Sequence, residues 1–212
     1  MGYLSSRINS LPVSATLAMA AKARELKNKG IDIIGLSLGE PDFNTPEFIK
    51  EAAIQAVNDN YNAYTPVDGY KELKEAVCKK FKRDNDLEYT PSQIVVSTGA
   101  KQSIANVCMV LLNPGDEVLL PAPYWVSYSA IVTLAEAKSV MIPSSIETDF
   151  KITPDQLEAA ITPKTKMIMF NSPNNPTGTI YTEEEYRALG KVLEKYPDIF
   201  IISDEIYEHI NY

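Results

Sequence analysis

The sequence predicts an α/β fold: a mostly parallel sheet with helices on both faces, preceded by an N-terminal helical and irregular segment. Three observations predict it. From Gln93 onward, short apolar runs alternate with amphipathic segments of roughly 10 to 15 residues, the pattern of βαβ units. Two capping boxes, Thr153-Pro154-Asp155-Gln156 and Thr182-Glu183-Glu184-Glu185, place helix starts between those runs. Several runs end in polar or aromatic residues, and open α/β sheets bind ligands outside the carboxyl ends of their strands.

The elements follow in order. The N-terminal part shows helical patterns over 15–29, 45–58 and 70–85. An apolar stretch and a turn-rich loop, 33–43, separate the first two. An irregular loop, 60–69, carries Tyr61 and Tyr64. Gln93–Ser97 is predicted as a strand and Gly99–Leu112 as the helix after it. Glu117–Pro121 is the next strand, 124–135 a helix, and Ala137–Ile142 a strand. Thr153 caps a helix whose first position suits Pro154. Thr165–Asn171 is a strand, Thr182 opens a helix to about Tyr196, and Phe200–Ile202 is a short strand ending at Ser203 and Asp204. No internal repeat or low-complexity tract interrupts this order.

Bulk properties narrow the function. A length of 212 residues suits one large domain, or one domain with a small extension. A net charge of −8 argues against a nucleic-acid footprint. No apolar run approaches the roughly 18 residues of a membrane span, and the N-terminus lacks the apolar core of a secretory signal. Cys78 and Cys108 have neither CxxC spacing nor nearby histidines. They are expected to be buried thiols of a protein in a reducing, cytoplasmic setting, with no role in metal binding. His209 is the only histidine, so any Ser-His-Asp or Cys-His site would depend on it.

Four predicted strand ends carry chemistry. Thr98–Ser103 follows the first strand, and small residues at Gly99 and Ala100 would expose helix N-terminal N–H groups to an anion such as phosphate. This is neither a GxGxxG nor a GxxxxGK[ST] loop, and an ordinary glycine-started helix would look the same. Pro121–Trp125 follows the second; its prolines would hold the only tryptophan rigidly over a flat ligand, or between helix and sheet. Asn171–Gly178 (NSPNNPTG) follows a buried run, with Pro176 restricting Asn175 to extended backbone and Gly178 permitting a sharp exit. Asp204 emerges from an apolar strand and needs a cationic or hydrogen-bonding partner, or else caps a helix; Tyr207 lies three residues on. A phosphate cradle, an aromatic plate, an amide, a carboxylate and a phenol on one sheet edge suit pyridoxal phosphate.

These residues resemble the fold-type I pyridoxal-phosphate aminotransferases, and within class I the bacterial aspartate aminotransferase branch. The matching segments are Ser14–Thr16, Gly39–Phe43, Tyr64 with Gly69, Gly99–Gln102, Asn113–Glu117, Pro123–Tyr128, Asn171–Gly178 and Ser203–His209, spanning nearly the whole chain in order. The resemblance implies a pyridoxal-phosphate transferase large domain over 46–212, incomplete at its C-terminal end, after an N-terminal arm and part of a small domain over 1–45. It implies that Gly99, Ala100 and Lys101 cradle the cofactor phosphate and that Trp125 stacks on the ring. Asn175 and Tyr207 would bond the ring's phenolic oxygen, and Asp204 would pair with the ring nitrogen. Gly39 would meet the substrate α-carboxylate, with Trp125 and Asn175 also lining the substrate site. Tyr64 would reach the phosphate of the neighbouring subunit in a homodimer with shared sites, and Thr16 and Lys101 the distal carboxylate. A cis peptide is expected at Asn175–Pro176.

The implied reaction is ping-pong transamination of an L-amino acid, aspartate with 2-oxoglutarate as amino acceptor. The family's Schiff-base lysine lies after its Asp-x-x-Tyr motif, which here places it beyond Tyr212, so the 212-residue chain is expected to be inactive alone. Some close relatives that also accept prephenate carry a lysine shortly before the Ser-Ala-Thr segment, where Pro12 stands here, which weakens that reading. A C–S lyase or aromatic aminotransferase of the same fold, and a non-catalytic truncated module, remain as alternatives.

Overall fold

The computed structural model describes residues 3–36, 39, 41 and 43–210. The helices are α1 (Ser6–Asn9), α2 (Ala15–Asn28), α3 (Glu47–Asn58), α4 (Lys71–Asn85), α5 (Ala100–Leu111), α6 (Ser127–Leu134), α7 (Pro154–Ala160) and α8 (Glu183–Leu193). The strands are β1 (Glu117–Pro121), β2 (Lys138–Ile142), β3 (Thr165–Asn171) and β4 (Phe200–Asp204). The chain forms two compact units, one of Val13–Ser97 and one of Met1–Pro12 with Thr98–Tyr212.

The second of these holds the sheet. Its four strands are all parallel, in the order β2-β1-β3-β4. Parallel strands need crossovers, and the capping boxes supply helix starts where crossovers are required. The Thr153 and Thr182 hydroxyls accept from the N–H of Gln156 and Glu185, at 3.2 Å each. The period-two side-chain alternation of a strand separates two cores. Val118, Leu120, Met167 and Met169 face α5 and α6, together with Ile104, Cys108, Tyr128 and Val132. Leu119, Ile168 and Phe170 face the other way, against Leu157 of α7 and Leu189 and Val192 of α8. Both faces of β1 and β3 are therefore dry, which is why these strands are continuously apolar. Each fully buried Leu, Ile or Met contributes about 1.5–3 kcal/mol. At the amino end of β1, buried Glu117 accepts from Thr162 Oγ1 (2.7 Å) and Lys138 Nζ (3.2 Å).

The Val13–Ser97 unit is helical. Ser14 caps α2 through Leu17 N–H (3.4 Å), and α4 stops at Asp86, which takes a left-handed conformation with φ 53°. Buried Lys74 pairs with Asp68. Gly69 has φ +101°, and a Cβ there would stand 2.7 Å from Val96 Cγ2, so the position admits only glycine.

Two expectations need correction. Gln93–Ser97 is not a strand: Pro91–Gln93 is a 3-10 turn, and the extended residues after it have no ladder partner among the described residues. Val96 N–H bonds Asp68 O instead, at 3.1 Å, and Val95 is exposed. A strand is defined by its neighbour, and β propensity alone supplies none. Cys78 is only half-buried, whereas Cys108 is buried and its thiol is pushed up to about 11 by desolvation. Smaller differences lie at helix ends: α6 begins at Ser127, leaving Tyr124 and Trp125 in the preceding turn, and α8 ends at Leu193.

Candidate active site

The chain leaves β1 toward β2 on one side and comes back to β3 on the other, so strand order reverses between β1 and β3. Such a switch point opens a crevice outside the carboxyl ends of the two strands. The turn carrying Trp125 follows β1, and the loop carrying Asn175 follows β3. The ladder sets Asp204, the last residue of β4, opposite Asn171, the last residue of β3.

Asp204 is held at both oxygens. Oδ2 accepts from the Tyr128 hydroxyl at 2.7 Å, and Oδ1 accepts from Ile206 N–H at 3.2 Å. The capping role open to this aspartate is thus filled by one oxygen while the other meets a buried phenol. Tyr128 is 1% exposed; burial first, and then the bond to the Asp204 carboxylate, raise its pKa far above the usual phenol range, so it remains a donor. The Tyr128 ring also meets Trp125 edge-on, with centroids 5.5 Å apart and planes at 88°. Trp125 is half-buried, packed partly against the α5–α6 core. Lys101 Nζ lies 4.9 Å from the Trp125 ring centroid, within cation–π reach.

The loop after β3 is pinned from within. Asn174 Oδ1 accepts from Thr177 N–H (3.1 Å), and Gly178, at φ 74°, returns its N–H to Asn174 O (2.8 Å). The peptides before Pro123, Pro173 and Pro176 are cis, as expected for Asn175–Pro176. Asn175 Nδ2 donates to the Tyr207 hydroxyl at 3.0 Å. The turn after β4 therefore places the phenol beside the amide. Gly99, at φ 83°, precedes α5, so the first helical N–H groups, those of Ala100 and Lys101, have no carbonyl one turn back to bond.

The sequence-predicted residues Gly99, Ala100, Lys101, Trp125, Asn175, Asp204 and Tyr207 thus lie in one unit, and direct contacts join Lys101 to Trp125 and Asn175 to Tyr207. Thr16, Gly39 and Tyr64 belong to the Val13–Ser97 unit: Thr16 in the first turn of α2, Gly39 and Tyr64 exposed. Of the motif Gly39–Phe43, Glu40 and Asp42 lie outside the described residues. Two residues with no role assigned from sequence emerge, Tyr128 and Asn171. Tyr128 lies in the segment Pro123–Tyr128 that the sequence marks, but its bond to Asp204 has no local signal. Asn171 opens the NSPNNPTG run after an apolar stretch, which marks the loop but gives Asn171 no role of its own. No group of three His, Cys, Asp or Glu residues suited to a metal exists among the described residues. The donor set suits a flat ligand that carries a proton for a carboxylate, an oxygen for an amide and a phenol, and an anion for a helix N-terminus.

Known proteins resemble this chain in sequence and in fold. The model of the family "Aminotransferase class I and II" matches residues 31–212. An aspartate/prephenate aminotransferase of Nitrosomonas europaea is 55% identical over 207 residues, 98% of this chain and 52% of the relative. An aspartate aminotransferase of Bacillus subtilis is 53% identical, over 99% of this chain and 53% of its own length. Among solved structures, the aspartate aminotransferase of Rhizobium meliloti superposes with a TM-score of 0.96 at 45% identity, covering 100% of this chain and 53% of that one. The enzyme of Thermus thermophilus with maleate gives 0.95 at 44%, covering 100% and 55%. The chain spans about half the length of the relatives it matches. By sequence and by fold, it belongs to the class I and II aminotransferase family.

Proposed function

We propose that the protein containing this chain transaminates an L-amino acid with pyridoxal phosphate as cofactor, taking aspartate as donor and 2-oxoglutarate as acceptor in a ping-pong cycle. The observation that carries the reading is the set of side chains at the β1–β3 switch point: Asp204 held by Tyr128, and Asn175 paired with Tyr207. The names of the relatives supply the substrate class.

The residues fit the cofactor chemically. Asp204 is an acceptor for a protonated ring nitrogen, and its two existing donors leave lone pairs for a third. The Asn175 amide and Tyr207 phenol suit a phenolic oxygen. The indole of Trp125 offers a plate that excludes water from one ring face. The N–H groups of Ala100 and Lys101, preceded by Gly99, suit a phosphate dianion at a helix N-terminus. Bound there, the cofactor supplies an electron sink for the bond broken at the substrate Cα. Asp204 holds the proton of the ring nitrogen, and Tyr128 keeps the Asp204 carboxylate aimed. Gly39 serves the substrate α-carboxylate through its backbone, Trp125 and Asn175 also serve the substrate, and Thr16 and Lys101 serve its distal carboxylate. Tyr64 serves the neighbouring subunit's phosphate in a cytoplasmic homodimer. On this reading residues 1–45 form an arm and part of a small domain, and 46–212 the cofactor-binding large domain.

The test is a coupled assay of the full-length protein loaded with pyridoxal phosphate, given aspartate and 2-oxoglutarate. Glutamate and oxaloacetate should form together; a loaded protein that forms no glutamate overturns the assignment. A second reading, prephenate as a further amino acceptor, is supported by the names of relatives at 55% and 52% identity. Pro12 weighs against it, and replacing 2-oxoglutarate by prephenate in the same assay decides.

A further inference from the structure

We propose that Asn171 is a positioning residue that couples Asn175 to Asp204, so that the group suited to the cofactor's phenolic oxygen and the group suited to its ring nitrogen share one side-chain amide. The proposal deepens the cofactor reading above and rests on it.

Asn171 ends β3 and is 6% exposed. Burying an amide is unfavourable unless its polar atoms are bonded. Both ends of this one are. Oδ1 accepts from Asn175 N–H at 2.7 Å, and Nδ2 donates to Asp204 C=O at 2.9 Å. The orientation of the amide is fixed by its partners, because a flip would set donor against donor and acceptor against acceptor. The main chain adds to the tie: Ser172 N–H donates to the same Asp204 carbonyl at 3.3 Å. One side chain thus spans the loop after β3 and the tip of β4.

The consequence reaches the functional groups. Fixing the Asn175 backbone N sets where its side chain meets Tyr207. Fixing the Asp204 carbonyl sets how its carboxylate leaves the strand toward Tyr128. The task needs a donor and an acceptor on adjacent atoms at the length of asparagine. Leucine has neither, ionised aspartate lacks the donor, and glutamine is one methylene too long.

Two variants of the full-length protein separate this from a general packing role. Asn171→Ala removes both bonds. Asn171→Asp keeps an acceptor for Asn175 N–H and removes the donor to Asp204. In cofactor-free protein, backbone amide exchange at Asn175 should speed up by about tenfold in Asn171→Ala and stay near wild type in Asn171→Asp. With pyridoxal phosphate added, both should bind it about tenfold or more weakly, and both should shift the pH midpoint of its visible absorbance. Asn175 exchange unchanged in Asn171→Ala, or affinity and midpoint unchanged in Asn171→Asp, overturns the proposal. Should Asn171→Ala not fold, Asn171→Asp with its melting temperature measured decides alone. A wild-type protein that takes up no pyridoxal phosphate refutes the cofactor reading instead, and the exchange arm still decides the coupling.

Discussion

The two compact units handle apolar residues in opposite ways. In the sheet unit, Val118, Leu119, Leu120, Met167 and Ile168 are each 0% exposed, because parallel β1 and β3 are covered on both faces. In the Val13–Ser97 unit, α3 buries none of its residues, and Phe48, Ile54 and Val57 on it are exposed at 71%, 62% and 76%. The contrast teaches that an amphipathic helix records only that an apolar face exists, whereas strand pairing decides what covers it. Site geometry needs the second kind of order, and the residues in direct contact at the switch point stand in the sheet unit.

The contrast can be broken by mutation. Leu119→Ala opens a cavity between two covered faces and should cost about 2–5 kcal/mol. Val57→Ala in the same 212-residue chain should stay within about 0.5 kcal/mol. Urea unfolding followed by Trp125 fluorescence reports the sheet unit, since that residue is the only tryptophan; equal costs for the two variants would dissolve the distinction. Gly69→Ala comes next. It combines a left-handed backbone with a Cβ 2.7 Å from Val96, and should cost about 3 kcal/mol in the Val13–Ser97 unit, seen as faster amide exchange along α4 at a lower urea concentration. Tyr128→Phe should cost about 2 kcal/mol by leaving Asp204 Oδ2 without its donor while keeping the ring on Trp125. A Trp125-detected midpoint equal to wild type would mean that solvent replaces the phenol.

How much of this was legible follows the range of each signal. The capping boxes at Thr153 and Thr182 were readable because donor and acceptor lie three residues apart. Asp204 was readable as a polar residue ending an apolar run, and Asn175 as part of the proline- and asparagine-rich loop after one. The pairing of Tyr128 with Asp204 spans 76 positions and that of Asn171 with Asp204 spans 33, and both exist only because β4 lies beside β3 and β3 beside β1. Strand order is not written in any local pattern. The same limit explains Gln93–Ser97, whose β-branched residues fit a strand but whose partner no local signal specifies. It also explains why a half-buried Cys78 and a fully buried Cys108 looked alike inside two helical patterns.

The smallest effect sharpens the comparison through pH. Each unit holds depressed carboxylates with lysine partners, among them Glu117, lowered first by the Thr162 hydroxyl and then by Lys138, and Asp68, lowered by Lys74. A glutamate with its folded pKa below the unfolded value of about 4.3 contributes stability that is fully present above that value and is lost as pH falls through the folded pKa. Once pH falls through the lowered folded pKa, protonated Glu117 no longer attracts Lys138, and one of its acceptor sites becomes a donor. Glu117→Gln keeps the shape and removes the titration, so it should flatten the acid side of the Trp125-detected unfolding midpoint by less than about 1 kcal/mol. The acid response of amide exchange along α4, set in part by Asp68, should persist in that variant. If Glu117→Gln instead flattens both signals equally, the two units unfold as one and the separation drawn from their burial does not extend to their stability.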